Sequence, residues 1–414
     1  MITVLKKILP NFFRLGLIQV SSVIVQLLLI PIVIQRAGLD ANSKWLTSLS
    51  IAVLFSILIN FASNQSAPRA ISEIDVLENN KKKSELLSLF FYVRVFFFLI
   101  TSLISLLFFI FNNTMAYYLL GAIPLLLAEL LNPYVLCLAR NQLHWLSGLN
   151  LAGRILGLIL VYFCWDHNAI WVNAWVGFGL LLFFLIFWVL EIIQGNFRLA
   201  RFSKTQFTNH IKENTSLVIS NALVHFQQSI ILYLVSIIAS PLVWGIYAII
   251  DKIIWGFRTL LISFSGAVYA ASLDVWKQGW ESWKKFKLNG NQILFFGLIV
   301  GGGIIFVFAS TIAALFDLPT YQSELIIAIK LSAFIPLLTG MNLLNVLELL
   351  LKKKHKAIYQ SNLRIMIIVL GMGGILFLVA NGWTEIPFWG PILVLALVEL
   401  FTLVIYEKSC RNNS

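Results

Sequence analysis

The chain alternates long apolar stretches with short polar ones. Twelve apolar stretches recur, at about 10–34, 45–68, 86–111, 116–139, 142–164, 168–193, 214–238, 242–272, 288–316, 323–351, 358–380 and 388–406. Each has about 20 residues or more, the length an α-helix needs to cross ~30 Å of hydrocarbon. The polar separators are brief, as at 112–115, 165–167 and 239–241. The longest, 194–213, falls between the sixth and seventh stretches. The pattern predicts an all-α polytopic membrane protein of about 12 transmembrane helices in two six-helix halves. The halves would be 1–197 and 214–414, joined by a cytoplasmic linker at 198–213.

Composition agrees with this class. Only 12% of residues are charged and the mean hydropathy is +0.89, whereas soluble domains run near one quarter charged. A net charge of +12 would suit a nucleic-acid binder, but the basic residues lie in short clusters between apolar spans. With the N-terminus inside, the inner segments hold Lys6, Lys7 and Arg14, Arg69 and Lys81–Lys83, Arg140, Arg198 to Lys212, Lys277 to Lys287, Lys352 to Lys356, and Lys408 with Arg411. The outer loops hold only Arg36 and Lys44. That asymmetry orients the chain with both termini in the cytoplasm and removes nucleic acid as a partner. The N-terminal apolar run reads as a retained first helix rather than a cleaved signal.

The halves show a weak internal likeness. The second span ends SAPRAIS (66–72) and the eighth ends GAVYAAS (266–272). Gln19, Ser22 and Gln26 form a polar stripe on span one, and Asn221, His225 and Gln228 form one on span seven. Either stripe serves interhelical packing or lines a polar lumen. Six spans per half would make this a parallel repeat.

Charges deep in the spans carry the functional signal, because an ionisable group there is costly unless it faces protein or water. Arg154 lies about 18 Å from the inner end of span five, and Lys252 about 15 Å from the outer end of span eight. Glu129 and Glu399 sit near mid-depth of spans four and twelve, and Arg258 and Lys330 lie at intermediate depth. Arg94 is shallow enough to snorkel. Asp251, Trp255 and Arg258 share one helix face, while adjacent Asp251 and Lys252 point about 100° apart and need not pair. Structural ion pairs between helices are the competing reading of all these charges. Pro31, Pro124, Pro133 and Pro336 fall within spans and predict kinks. Trp45, Trp145, Trp244, Trp276, Trp280, Trp283 and Trp389 read as an interfacial belt.

No Walker A, HExxH or GxSxG sequence is present, and Cys137, Cys164 and Cys410 have no metal-ligand or disulfide spacing. The reading is therefore a non-enzyme without cofactor or bound metal.

The stretches LLLIPIVIQRAG (27–38), NFASNQSAPRAISE (60–73) and VWGIYAIIDKIIWGFRTLLISFSGAVYAAS (243–272) resemble the Wzx-type polysaccharide flippases of the multidrug/oligosaccharidyl-lipid/polysaccharide (MOP) exporter superfamily. The resemblance implies a MATE-like fold in a bacterial inner membrane. It implies a substrate, an undecaprenyl-diphosphate-linked oligosaccharide repeat unit moved from the cytoplasmic to the periplasmic leaflet for O-antigen or related glycan assembly. Membrane lipids, a polysaccharide polymerase and a chain-length regulator are the implied partners. Arg94, Arg154, Lys252, Arg258 and Lys330 would then meet the diphosphate, with Gln19, Gln26, Asn221, His225 and Gln228 lining the lumen. Asp251, Glu129 and Glu399 are the candidates for ion coupling. An ion-coupled MATE-like drug antiporter and a membrane polymerase or ligase of lipid-linked glycans are the rival expectations.

Overall fold

The computed structural model describes residues 2–72, 79–140, 142–165, 168–194, 199–382 and 386–411. Side chains are described from Ser21 onward, apart from scattered positions within 64–83 and 263–274 and at a few helix ends. The described chain is helical almost throughout. In order it forms α1 (Ile2–Asn60), α2 (Ser63–Ser72), α3 (Asn79–Phe111), α4 (Asn113–Gly121), α5 (Ile123–Leu130), α6 (Tyr134–Ala139), α7 (Leu143–Cys164) and α8 (Val172–Ile193). Then follow α9 (Lys204–Ile238), α10 (Pro241–Lys277), α11 (Trp280–Val307), α12 (Ala309–Ala314), α13 (Gln322–Ser332), α14 (Ile335–Leu351), α15 (His355–Gly382) and α16 (Gly390–Arg411).

Among the described residues, nine helices are long and apolar enough to cross a membrane, and a tenth arises if the pair bent by 42° at Ala122 is one span. The count is below twelve for two visible reasons. Helix α1 covers both the first and second predicted spans, with a non-helical Gly38 (φ 85°) between them. Helix α10 covers the eighth but carries Asp251, Lys252 and Arg258 within it. Large apolar side chains lie bare on the surface, as along α3, where Leu99, Leu103, Leu106 and Ile110 are 50–74% exposed. Such a stripe suits lipid, and helices suit it too, since they satisfy their own backbone where no water reaches.

Several spans are broken, and prolines mark three of the breaks. Pro124 opens α5, Pro133 caps α6 and Pro336 opens α14. At a first turn the missing N–H costs nothing. Pro31 stands inside α1, where Gly38 is the residue with non-helical geometry. The break between α1 and α2 has no proline or glycine. Phe61 and Ala62 adopt φ of 42° and 56°, a left-handed conformation that L-residues resist.

Residues 204–213, expected as cytoplasmic linker, are the first turns of the continuous helix α9. Their apolar residues Phe207 and Ile211 pack on a core of Phe61, Ala62, Val93 and Val218, which favours helix over loop. Trp45, Trp244 and Trp283 are buried within the protein. The Trp45 indole donates to Asn173 Oδ1 at 2.8 Å, and a polar partner inside the protein removes the need for the headgroup layer.

By compactness the chain forms two units, 1–43 with 227–414 and 44–226. This partition cuts within α1 and within α9, the first long helix of each predicted half. In the unit of 44–226, α7 and α8 meet along a glycine seam. A Cβ at Gly179 would lie 2.3 Å from the Gly153 carbonyl oxygen and 2.5 Å from the Gly157 nitrogen, and one at Gly177 would lie 2.3 Å from the Leu125 nitrogen. Small residues at such spacing let backbones approach closely in lipid. In the other unit, Leu261, Val268, Trp283, Leu294, Leu344 and Leu347 form a core between α10, α11 and α14.

Gly179→Val forces α7 and α8 apart and should lower stability by about 1–3 kcal/mol. Gly303→Ala, where a Cβ meets nothing within 4 Å, should leave stability unchanged or raise it slightly. Thermal unfolding of the two purified variants in detergent checks the contrast, and equal losses would contradict the seam.

Candidate functional site

Two buried polar clusters stand out, one in each unit. The first gathers where the unit of 44–226 breaks its helices. The α1–α2 break frees the backbone around Asn60, and the α5–α6 break frees carbonyls at Leu131 and Asn132. Unsatisfied groups cost several kcal/mol in hydrocarbon, so each needs a protein partner. The Trp188 indole donates to the Leu131 oxygen at 2.7 Å. Arg94, 4% exposed, donates to the Asn132 oxygen at 2.6 Å and to Ser63 Oγ at 3.3 Å. Ser63 in turn donates to the Asn60 oxygen. One guanidinium on α3 thus ties both breaks together.

Glu129 sits beside this knot. Its Oε1 accepts from the Asn60 amide and, at 3.4 Å, from the Asn132 amide. Among the described residues it makes no ion pair, although it interacts electrostatically with Arg94 and Arg154. The Asn60 Oδ1 is buried without a hydrogen-bond partner. Arg154 stands near the middle of α7, next to Gly153 of the seam. Its Nε is buried without a hydrogen-bond partner, and among the described residues its side chain forms no ion pair.

The second cluster lies in the unit of 1–43 and 227–414. Lys252 bonds Asp251 at 3.0 Å, and Arg258 on α10 bonds Glu399 on α16. All four are at most 6% exposed. Asp251 and Lys252 do pair despite diverging Cα–Cβ directions, because the four-carbon lysine stem is long enough to fold back. Tyr247, one turn before Asp251, is fully buried and interacts with the charges of Asp251, Arg258 and Glu399. Its hydroxyl has no hydrogen-bond partner. Two cations and two anions make this cluster neutral overall, unlike the first.

The remaining predicted residues are dispersed. Lys330 is exposed and lies over the Phe306 ring, 5.5 Å from its centroid. On α1, Gln26 donates to Ser22 at 3.5 Å, while the side chain of Gln19 lies outside the described residues. Asn221, His225 and Gln228 are half-buried along α9. The sequence reading missed Asn60, Asn132, Trp188 and Tyr247 as members of these clusters. Polar asparagines within apolar spans, and a tyrosine four residues before Asp251, were the available signals. Among the described residues no group of His, Cys, Asp and Glu could hold a metal ion.

The chain is thus a helical bundle of candidate membrane spans with one buried polar cluster at broken helices and one buried ionic cluster on the continuous helices α10 and α16. No protein-family profile matches the chain, and no curated protein sequence matches it. Solved structures do. An inward-facing multidrug resistance MATE family transporter of the MOP superfamily superposes with TM-score 0.71 at 11% identity, covering 96% of this chain and 94% of that one. The Vibrio cholerae MATE transporter VcmN in its bent form gives TM-score 0.63 at 12% identity, covering 99% and 98%. A MOP superfamily transporter from Pyrococcus furiosus, described as having a binding pocket of reverse polarity that suggests a different function, gives 0.63 at 15% identity over 97% and 95%. The chain therefore has the MATE-like fold of MOP superfamily transporters, and these fold neighbours are transporters rather than enzymes.

The two arginines of the first cluster should respond differently to truncation. Arg94→Ala leaves a buried carbonyl without its donor and should cost about 2–4 kcal/mol. Arg154→Ala removes a guanidinium with an unsatisfied nitrogen and should leave thermal stability unchanged or higher. Unfolding temperatures of the two variants in detergent check this, and equal destabilisation would contradict it.

Proposed function

We propose that the chain is a flippase that moves an undecaprenyl-diphosphate-linked oligosaccharide across a bacterial inner membrane by alternating access. The observation that carries this reading is Arg154. It is a guanidinium near mid-span that makes neither a hydrogen bond nor an ion pair among the described residues, whereas Arg94 and Arg258, which also keep unbonded nitrogens, are each held by a partner. Lys252 and Arg258 are answered by Asp251 and Glu399, and Arg94 is engaged with the helix breaks. A planar guanidinium suits phosphate oxygens, so a diphosphate headgroup is the ligand class that Arg154 favours. The reverse-polarity neighbour supports the idea that this fold serves substrates of more than one charge.

Coupling is assigned to Glu129 on the same grounds. Of the three candidate acids, Asp251 and Glu399 are held in ion pairs, and among the described residues Glu129 accepts only from amide donors. A carboxylate without a cation partner exchanges a proton or binds sodium at less cost than one in a buried pair.

The multidrug MATE neighbours favour a second reading, an ion-coupled drug antiporter. A cationic drug would meet Arg154 as a like charge, which disfavours it. Cells of the host lacking this gene separate the two. With the wild-type chain supplied back, lipid-linked repeat units should reach the outer leaflet. With Arg154→Ala at matched membrane levels, translocation should fall about tenfold or more, the worth of a charge-assisted hydrogen bond. Repeat units that cross without the protein, together with new sensitivity to cationic drugs, would overturn the flippase reading in favour of the antiporter.

A further inference from the structure

The ends of α11 and α14 meet in a built basic cluster that neither buried site uses. Glu348, 3% exposed, accepts from Lys287 of α11 at 2.6 Å and from Lys352 at 2.7 Å. Lys352 also lies over the Trp280 ring, 4.6 Å from its centroid. These contacts fix the start of α11 beside the end of α14. Both ends are also ends of candidate membrane spans, Trp280–Val307 and Pro319–Leu351, which begin and finish here. A lysine cluster at the ends of two such spans is suited to the headgroup layer. Lys284, Lys285, Lys353 and Lys354 are exposed around it. Counting the anchored pair, six lysines stand against Glu281 and Glu348.

One backbone feature sets this apart from an ordinary basic rim. The turn after α14 closes with Lys354 N–H donating to the Leu349 oxygen at 2.9 Å and Lys353 N–H to the Leu350 oxygen at 3.0 Å. This is the Schellman pattern, whose left-handed position is normally glycine. Here that position is Lys353, with φ 57°. A lysine held where glycine would relieve strain points to a use for its side chain.

We propose that Lys284, Lys285, Lys353 and Lys354 form a binding site for the phosphate of an anionic phospholipid headgroup, with Glu348, Lys287 and Lys352 as its scaffold. The bilayer is the source, because the cluster lies at the ends of two candidate membrane spans. The proposal rests on the membrane fold and not on the flippase reading.

The test is native mass spectrometry of the purified full-length protein with added phosphatidylglycerol or phosphatidylcholine. Phosphatidylglycerol should be retained in preference, and its affinity should fall about fivefold per lysine removed in K284Q/K285Q and K354Q. The decisive variant is Lys353→Gly. It should bind phosphatidylglycerol more weakly while unfolding at the same or a higher temperature, which separates loss of the site from loss of the fold. Equal retention of the two lipids would overturn the proposal. So would an equal loss of affinity in K204Q/K212Q, whose exposed lysines lie on α9, since overall charge alone would then explain binding. Inorganic phosphate that displaces the lipid at comparable concentration would overturn it too, by making this a site for free phosphate.

Discussion

A helix that breaks inside the hydrocarbon layer leaves carbonyl and N–H groups that only the protein can satisfy. Much of this structure follows from how it meets that demand. Where α5 gives way to α6, the freed carbonyls of Leu131 and Asn132 are taken by Trp188 of α8 and Arg94 of α3. Where α1 gives way to α2, Ser63 binds back to Asn60, and Arg94 reaches Ser63 as well. The left-handed Phe61 and Ala62 at this break each cost about 1–2 kcal/mol, so the surrounding packing must hold them. Phe61 stacks on Phe97 at 4.4 Å between ring centroids, and Val93 and Val218 close the same core.

This arrangement divides the buried charges by role. Arg94 is occupied with backbone. In the other unit Arg258 joins α10 to α16 through Glu399, and Lys252 folds onto Asp251. Burying such pairs contributes little net stability, but separating one would strand a charge, so they fix which helices lie together. Buried nitrogens without a hydrogen-bond partner remain on Arg94, Arg154 and Arg258, and of the three only Arg154 makes neither a hydrogen bond nor an ion pair among the described residues. In the proposed flippase, Arg154 and Glu129 of the unit of 44–226 are the side chains assigned to cargo and coupling ion.

Much of the fold was legible because lipid imposes a simple rule on sequence. Apolar length and Lys/Arg placement delimit the helices, and Pro124, Pro133 and Pro336 announce three of the breaks. The break at Phe61–Ala62 was not legible, since it uses neither proline nor glycine and is held by distant packing. The hydrogen bond of Trp45 was not legible, because its partner Asn173 lies 128 residues away. Residues 204–213 looked like a linker because their polarity hides Phe207 and Ile211, which dock on the core. Depth identified Arg154, Arg258, Lys252, Glu129 and Glu399 as unusual, but it could not say which were paired, and it passed over Arg94 as shallow enough to snorkel. The bond from Arg258 to Glu399 spans 141 positions, and nothing local records it.

The central claim is that Arg154 is reserved for an anionic headgroup. The most direct measurement is the affinity of the purified protein for a water-soluble, short-chain prenyl diphosphate, in the wild type and in Arg154→Gln, with a cationic drug as comparison. The account predicts diphosphate binding that weakens about tenfold or more in the variant, with the drug bound poorly by both. Equal diphosphate affinity in the two proteins, or tighter binding of the drug than of the diphosphate by the wild type, would contradict it.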